Sequence, residues 1–287
     1  MTAPQDNPLP KLGIIAGGGA LPARLASAAQ TAGRAVFVVK LDGHANDADL
    51  DAYPNVTARL GAAAKILDAM RTNDCRDVVL AGKVKRPSFS AMRPDWRAAK
   101  LLMKVGMKAL GDDGLLRLVG EELEREGFRL VGAHEILTDL AVPEGVLGKV
   151  SPDDQAMTDA KHGLGVARIL GQADVGQGCV VQQGLVLALE AIEGTDEMVR
   201  RSAQYRRDGV GGVLVKSSKP QQDKRLDLPA IGLTTVDEAH QAGLRGIALL
   251  AGGTMIIDRE AVIARADALG MFIIGLRDAD GKDGHGV

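Results

Sequence analysis

The stretch Lys216-Ser217-Ser218-Lys219-Pro220-Gln221-Gln222-Asp223-Lys224-Arg225-Leu226-Asp227-Leu228-Pro229 crowds cations and carboxylates behind an apolar run. Its prolines make it a loop leaving a strand, although Asp223 and Asp227 stand at helical spacing. Phosphoryl transfer needs both kinds of charge: carboxylates position a metal or a water, while Lys and Arg offset charge on the phosphate oxygens. The alternative is a solvated charged loop. A second constellation, Glu190-Ala191-Ile192-Glu193-Gly194-Thr195-Asp196-Glu197, puts four carboxylates within eight residues. Such a run could hold Mg²⁺ through one or two direct ligands. Otherwise Thr195 caps a helix whose dipole Asp196 and Glu197 complement, which leaves Glu190 and Glu193 unexplained.

Gly13-Ile14-Ile15-Ala16-Gly17-Gly18-Gly19-Ala20-Leu21-Pro22 reads as a strand, a glycine turn and a helix, an arrangement that offers backbone N–H groups to a phosphate. Gly17 and Gly19 match the first two glycines of a dinucleotide fingerprint, and Asp42 could meet a ribose hydroxyl, but Pro22 takes the third glycine's place. A tight turn without ligand is the other reading. Lys83, Lys85 and Arg86 leave another strand end, where α/β proteins bind ligands, or are surface charge. Asp174-Val175-Gly176-Gln177 is by spacing a polar turn. From Lys85 to Lys108 there are seven basic residues and one acid, Asp95. Arg93, Arg97, Lys100, Lys104 and Lys108 line one helical face beside Trp96, Leu102, Met103 and Met107, which suits an anionic membrane surface or a solvated helix face. The histidines His44, His134, His162 and His240 are isolated and His285 lies in the tail, so no zinc cluster or Ser-His-Asp set is expected.

The elements that must hold these groups follow from periodicity. Leu12–Ala16, Ala35–Leu41 and Val78–Ala81 read as strands and Leu21–Thr31 and Leu60–Arg71 as helices, a βαβ rhythm that implies a parallel sheet. Asp112–Glu126 is amphipathic and stops at Gly127. After Leu140–Gly148, a Pro- and Gly-bearing stretch, a helix is expected from Ser151 as cap with Pro152 in its first turn. The second half then becomes strand-rich. At roughly 150 residues per domain, 287 residues suggest two domains. The expected fold is α/β: a Rossmann-like parallel-sheet domain over 1–138, residues 1–10 being a flexible leader, a linker over 139–150, and a second α/β domain with a mixed sheet over 151–287 that carries the charged loops.

Composition narrows the function. Lys plus Arg is 35 against 37 Asp plus Glu, and aromatic residues are 2% of the chain, so neither a global positive field nor a base-stacking platform speaks for nucleic acid. Hydrophobic residues at 46% and charged residues at 25% describe a globular chain. Cys75 and Cys179 stand apart without metal or redox spacing and read as buried apolar groups in a reducing compartment. Apolar stretches such as Gly246–Ile257 are too short to span a bilayer, so the expectation is a soluble, cytoplasmic protein that could still sit on a membrane surface, with a homo-oligomer allowed.

Six motifs together resemble the LpxI family of UDP-2,3-diacylglucosamine pyrophosphatases of lipid A biosynthesis: LGIIAGGGALP at Leu12–Pro22, GKVKRP at Gly82–Pro87, DDGLLR at Asp112–Arg117, DVGQG at Asp174–Gly178, ALEAIEGTDEMVRR at Ala188–Arg201 and VKSSKPQQDKRLDLPAIGLTT at Val215–Thr235. The resemblance implies two domains clasping a nucleotide-activated glycolipid, with Mg²⁺ or Mn²⁺ assisting water attack on its pyrophosphate, favoured at the sugar-side phosphorus, to give UMP and 2,3-diacylglucosamine 1-phosphate. On that reading Asp227, in the family's R-x-D-x-P element, is the leading catalytic or metal-binding carboxylate, with Asp223, Lys216 and Lys219 beside it. Substrate contacts fall to Gly17, Gly18, Gly19, Lys83, Arg86, Gln177, Gly194, Thr195 and Arg225, and metal ligands to Asp227, Asp223, Glu190 and Glu193. The chain departs from the family pattern at Leu226, where Phe is common, Ala230, where Thr is common, and Leu250, where an acid often stands. Other classes compatible with the residues are an NAD-type oxidoreductase and a non-catalytic sugar-nucleotide or lipid carrier.

Overall fold

The computed structural model describes residues 9–84, 94–105 and 112–278. By internal contacts the chain divides into two compact units, one running to Leu137 and including Asp223–Asp227, the other comprising Thr138–Gln222 and the chain from Leu228 onward.

The first unit contains, in order, β1 (Leu12–Ala16), α1 (Leu21–Thr31), β2 (Val36–Leu41), β3 (Asn55–Ala58), α2 (Ala63–Thr72), β4 (Asp77–Ala81), α3 (Trp96–Val105), α4 (Asp112–Arg125), β5 (Arg129–Leu130) and α5 (Ala133–Ile136). β1 is buried at every position, as a strand covered on both faces must be, and so its sequence is a continuous apolar run. The sheet is parallel throughout, in the order β3-β2-β1-β4-β5, with Ile14 beside Val38 on one side and Val79 on the other. The strand order reverses between β1 and β4, and the C-terminal side of such a switch point is where parallel sheets commonly bind ligands. One core joins Val39, Met70, Val78, Leu123, Phe128 and Leu130. Gly127, at φ +90°, ends α4 as its sequence implies.

Leu226 belongs to that same core and is 6% exposed. A Cβ at Gly120 of α4 would lie 2.9 Å from its methyl groups, so the helix offers a glycine where the leucine sits. From sequence the whole charged loop is expected in the second domain; the structure instead groups Asp223–Asp227 with the first unit, because an apolar side chain inside the charged stretch needs a core. Leu226→Ala is expected to destabilise the chain by about 2–5 kcal/mol, the range for an emptied leucine site, read as a lower urea midpoint at unchanged slope.

The second unit contains β6 (Gly145–Leu147), α6 (Asp154–Gln172), β7 (Gly178–Gln182), β8 (Leu185–Leu189), α7 (Thr195–Ser202), β9 (Val213–Lys216), β10 (Ala230–Ile231), α8 (Leu233–Gln241), β11 (Gly246–Leu250), β12 (Met255–Ile256), α9 (Arg259–Ala268) and β13 (Phe272–Leu276). Its six-stranded sheet runs β6-β13-β11-β9-β7-β8, with β13, β11 and β9 parallel and β6, β7 and β8 antiparallel to their neighbours; β10 and β12 form a separate parallel pair. The alternation of strand side chains divides the interior in two. Leu214, Ile247 and Ile273 face Met198 of α7, Val236 of α8 and Val262 of α9. Val213, Val215 and Ala248 face Ala156 and Ala160 of α6. Gly163 lets α6 approach closely, since a Cβ there would meet Val215 Cγ2 at 2.4 Å.

Two expectations are corrected here. The 139–150 stretch is not a linker: β6 pairs with β13, Val146 opposite Ile274, and Leu140 and Val142 are buried. Helix α6 starts at Asp154 rather than beside Ser151, because the Asp153 carboxylate accepts from the Ala156 N–H at 2.8 Å and fixes the cap there. Among the described residues no helix is long and apolar enough to cross a membrane.

Candidate functional site

In the first unit, the glycine turn and Lys83 meet at the C-terminal ends of β1 and β4. Gly18 and Lys83 exchange two backbone hydrogen bonds of 2.8 Å, and the Gly17 N–H donates to the Ala81 carbonyl at 2.8 Å. A Cβ at Gly17 would stand 2.8 Å from the Lys83 carbonyl oxygen, and one at Gly82 would stand 2.7 Å from that of Gly18. These glycines therefore serve the close approach of two loops. The N–H groups of Gly17 and Gly18 are bonded within the chain, whereas Gly19, at φ +89°, has open space around its Cα just before α1. The Lys83 side chain is exposed.

The Asp223–Asp227 turn of the same unit separates its two carboxylates. Arg225 grips Asp223 through Nε at 3.0 Å and Nη2 at 2.6 Å, while its Nη1 reaches Glu124 of α4 at 2.8 Å. These hydrogen bonds from Arg225 hold the Asp223 carboxyl below the usual carboxylate range. Asp223 is thus the brace of the turn, and Arg225 is committed to it. Asp227 is exposed between two buried residues, Leu226 and Leu228, so its backbone is anchored on both sides. An exposed acid on a fixed backbone is what water activation or metal binding to a phosphate requires.

In the second unit, β9 ends at Lys216, buried, with its ammonium donating to the Ala230 carbonyl at 3.4 Å. Ser217 and Ser218 follow, also buried, and the Ser217 N–H donates to the Gln177 carbonyl at 2.9 Å. Lys219 forms an ion pair with Asp174, the first residue of the DVGQG motif, a pairing that single-sequence reading does not find. In the acidic run Thr195 is the first helical residue and Gly194, at φ +80°, takes the cap position expected of Thr195. The Thr195 hydroxyl instead donates to Glu190 Oε1 at 2.8 Å. Glu193 pairs with Arg201 at 2.7 Å, whose hydrogen bond lowers its pKa, and Glu197 pairs with Arg200. Among the described residues no three His, Cys, Asp or Glu side chains gather as a metal centre. The four carboxylates proposed from sequence as metal ligands divide between the units: Asp223 and Asp227 in the first, Glu190 and Glu193 in the second.

Arg86, Arg93 and Lys108 lie outside the described residues, as do Lys85 and Met107. Of the basic stripe, Arg97 is tied to Glu126 at 3.0 Å and stacks on Trp96, while Trp96, Lys100 and Met103 are exposed. Asp95 is not part of a charged face: its carboxylate accepts from Ala98 N–H at 2.9 Å and Ala64 N–H at 2.7 Å, starting α3 and joining it to α2. Burial pushes the Cys75 thiol up to about 11 and that of Cys179 up to about 12, so neither is a thiolate nucleophile at neutral pH.

Comparison with known proteins decides the family. The LpxI N-terminal domain matches residues 11–140 and the LpxI C-terminal domain residues 143–274. A curated relative from Caulobacter vibrioides, named UDP-2,3-diacylglucosamine pyrophosphatase LpxI, is 50% identical over 273 residues, 93% of this chain and 97% of its own. The chain belongs to the LpxI family. Among solved structures, a putative epimerase from Burkholderia cenocepacia covers 95% of the chain and 85% of its own at 14% identity and TM-score 0.32. A UDP-glucose 4-epimerase from Thermus thermophilus with NAD covers 94% and 88% at 14% identity and TM-score 0.32. Likenesses that distant carry no functional argument, and within the LpxI family the assignment rests on the family domains and the Caulobacter relative.

Proposed function

We propose that the chain hydrolyses the pyrophosphate bond of UDP-2,3-diacylglucosamine, giving UMP and 2,3-diacylglucosamine 1-phosphate, as a step of lipid A biosynthesis. The observation that carries this is identity at half of all positions with the Caulobacter pyrophosphatase along almost the entire length of both chains. The exposed, anchored carboxylate of Asp227 supports it. In the reaction a water oxygen bonds to the sugar-side phosphorus, the bond from that phosphorus to the bridging oxygen breaks, and UMP leaves with the electron pair. Asp227 orients the water and takes its proton. Lys83 and the amides from Gly19 into α1 offset phosphate charge, and Arg86 is proposed for the same role. In the second unit Gln177, Gly194 and Thr195 are proposed as substrate contacts, and Lys216 and Lys219 as the cations, Lys219 through its link to Asp174.

Mg²⁺ or Mn²⁺ is part of the proposal. Mg²⁺ is commonly held by one or two carboxylates together with the substrate's own phosphates, not by a protein cage, and an exposed Asp227 fits that use. The cation would polarise the phosphoryl oxygens.

Hydrolysis in ¹⁸O-enriched water tests the reaction: one ¹⁸O atom is expected in 2,3-diacylglucosamine 1-phosphate and none in UMP. Label in UMP overturns the site of attack, and label in neither product overturns hydrolysis. Binding of the glycolipid without turnover would make the protein a carrier.

The substrate's acyl chains place it in a membrane, and the exposed Trp96, Lys100 and Met103 are proposed as the peripheral contact. A lysine at an anionic surface contributes about 1 kcal/mol, and an interfacial Trp adds to it. Combining Trp96→Ala with Lys100→Glu is expected to cut sedimentation with phosphatidylglycerol vesicles by about fivefold or more, while turnover of a short-chain soluble substrate persists. Unchanged sedimentation would return the helix to the solvated reading.

A further inference from the structure

Asp42 is an acid that the proposed reaction leaves unused. It directly follows β2, and its N–H still donates to the Ala58 carbonyl of β3 at 2.9 Å, so its backbone belongs to the sheet's ladder. Leu41, the residue before it, is buried in the core that α2 fills with Ile66 and Leu67. Successive strand side chains point to opposite faces of a sheet. Asp42 therefore turns to the other face, the one that α1 covers, since α1 packs on β1 and β2 and sends no side chain into that core. The Asp42 side chain is exposed and has no hydrogen bond or ion pair among the described residues. Its backbone is fixed and both carboxylate oxygens are uncommitted.

The acid stands beside the glycine turn. β1 and β2 pair in parallel with Ala16 beside Lys40, and two residues further that register brings Gly18 level with Asp42. A Cβ at Gly18 would lie 3.0 Å from the His44 carbonyl oxygen, so the loop that Asp42 opens is packed on the turn. On the turn's other side, the backbone bonds between Gly18 and Lys83 tie the loops after β1 and β4 together. A dinucleotide on such a sheet lies across the switch point between those two loops, and here the bridge occupies that passage. What stays open is Gly19, with nothing within 4 Å of a Cβ placed on it, and Asp42 one strand away. In that arrangement the first nucleotide is held at these two points, its phosphate against the second glycine of the turn and its ribose against the acid after the second strand.

We propose that Asp42 binds the ribose of a mononucleotide, its carboxylate accepting from the sugar's hydroxyls while the phosphate lies against Gly19. An ionised carboxylate offers two acceptor oxygens, so it can take both hydroxyl hydrogens of a ribose without a second side chain having to converge on the sugar. The assignment rests on the reading that the substrate is a uridine nucleotide. It adds to that reading a place for the nucleotide's sugar in the first unit, on the β1 and β2 side of the glycine turn, and it excludes a dinucleotide from the same turn.

Calorimetric titration of the full chain with UMP, 2′,3′-dideoxy-UMP and NAD, as wild type, Asp42→Ala and Asp42→Asn, tests it. Wild type is expected to favour UMP over the dideoxy analogue by about tenfold or more, since a charged acceptor paired with a ligand hydroxyl discriminates against the ligand that lacks it. Asp42→Ala is expected to bind the two within about twofold of each other, the loss falling on UMP alone, with Asp42→Asn between it and wild type. The side chain is exposed, so both variants are expected to keep the wild-type circular dichroism. Equal binding of the two nucleotides by wild type overturns the proposal whatever the variants do, as does a preference that survives Asp42→Ala, or NAD bound more tightly than UMP. Wild-type hydrolysis of the UDP-glycolipid, run in parallel, separates the two levels. Turnover without ribose discrimination defeats this inference alone, whereas ribose discrimination without turnover defeats the functional reading and leaves Asp42 as a mononucleotide's ligand.

Discussion

Asp227→Asn is expected to lower kcat on UDP-2,3-diacylglucosamine by at least about a hundredfold, the lower bound for removing a positioned general base, while far-UV circular dichroism and the thermal midpoint stay at wild-type values. The side chain is exposed and its neighbours Leu226 and Leu228 carry the burial, so the isosteric substitution empties no core site. Asp223→Asn is a contrasting case. It loosens the Arg225 brace, whose other arm is on Glu124, and is expected to change the thermal midpoint as well as the rate. If Asp227→Asn keeps more than about a tenth of wild-type turnover, a barrier change below about 1.4 kcal/mol, the carboxylate is not the working group of the loop.

The largest expected effect on stability lies away from the chemistry, at Asp77. Its buried carboxylate accepts from Arg129 Nε at 2.8 Å and also bonds Arg34, itself buried, whose Nε donates to the Pro10 carbonyl at 2.6 Å. Burial alone would push the Asp77 pKa up, but the hydrogen bonds and charges of Arg129 and Arg34 outweigh it and hold the carboxyl below its ordinary range. Asp77→Asn leaves a buried guanidinium uncompensated and is expected to cost about 3–5 kcal/mol. The pH dependence follows from the sign of the shift. A carboxyl depressed on folding is protonated first in the unfolded chain, so its contribution is complete above the unfolded value near 3.9 and fades as pH falls through the lower folded value. Urea unfolding from pH 7 to 3 is therefore expected to show the gap between wild type and Asp77→Asn narrowing below about pH 4. A gap that stays constant to pH 3 would contradict the ion-pair explanation.

The parallel strands were legible because burial on both faces demands uninterrupted apolar runs, as at Leu12–Ala16. β3 was not: Asn55-Val56-Thr57-Ala58 is an edge strand with two exposed positions, and its pairing with β2 is a tertiary fact. β6 hid in a Pro- and Gly-bearing stretch for the same reason, since three residues acquire strand identity only from β13. In the charged loop, residue types disclosed the chemistry but not the partnerships. Asp174 with Lys219 and Glu124 with Arg225 join positions far apart in sequence, and Glu124 reads as a solvent-facing helix residue until the loop is laid beside it. The glycines of DVGQG stood out as a motif, yet what they make room for, the backbone and carboxylate of Glu190, is visible only in three dimensions.

The most direct measurement is the time course of UMP release from UDP-2,3-diacylglucosamine in detergent micelles by the purified chain, with and without EDTA. UMP and 2,3-diacylglucosamine 1-phosphate should accumulate in equal amounts, stop on chelation, and resume when Mg²⁺ is added. Glycolipid that binds and is recovered intact, with no UMP formed at any Mg²⁺ concentration, would contradict the assignment.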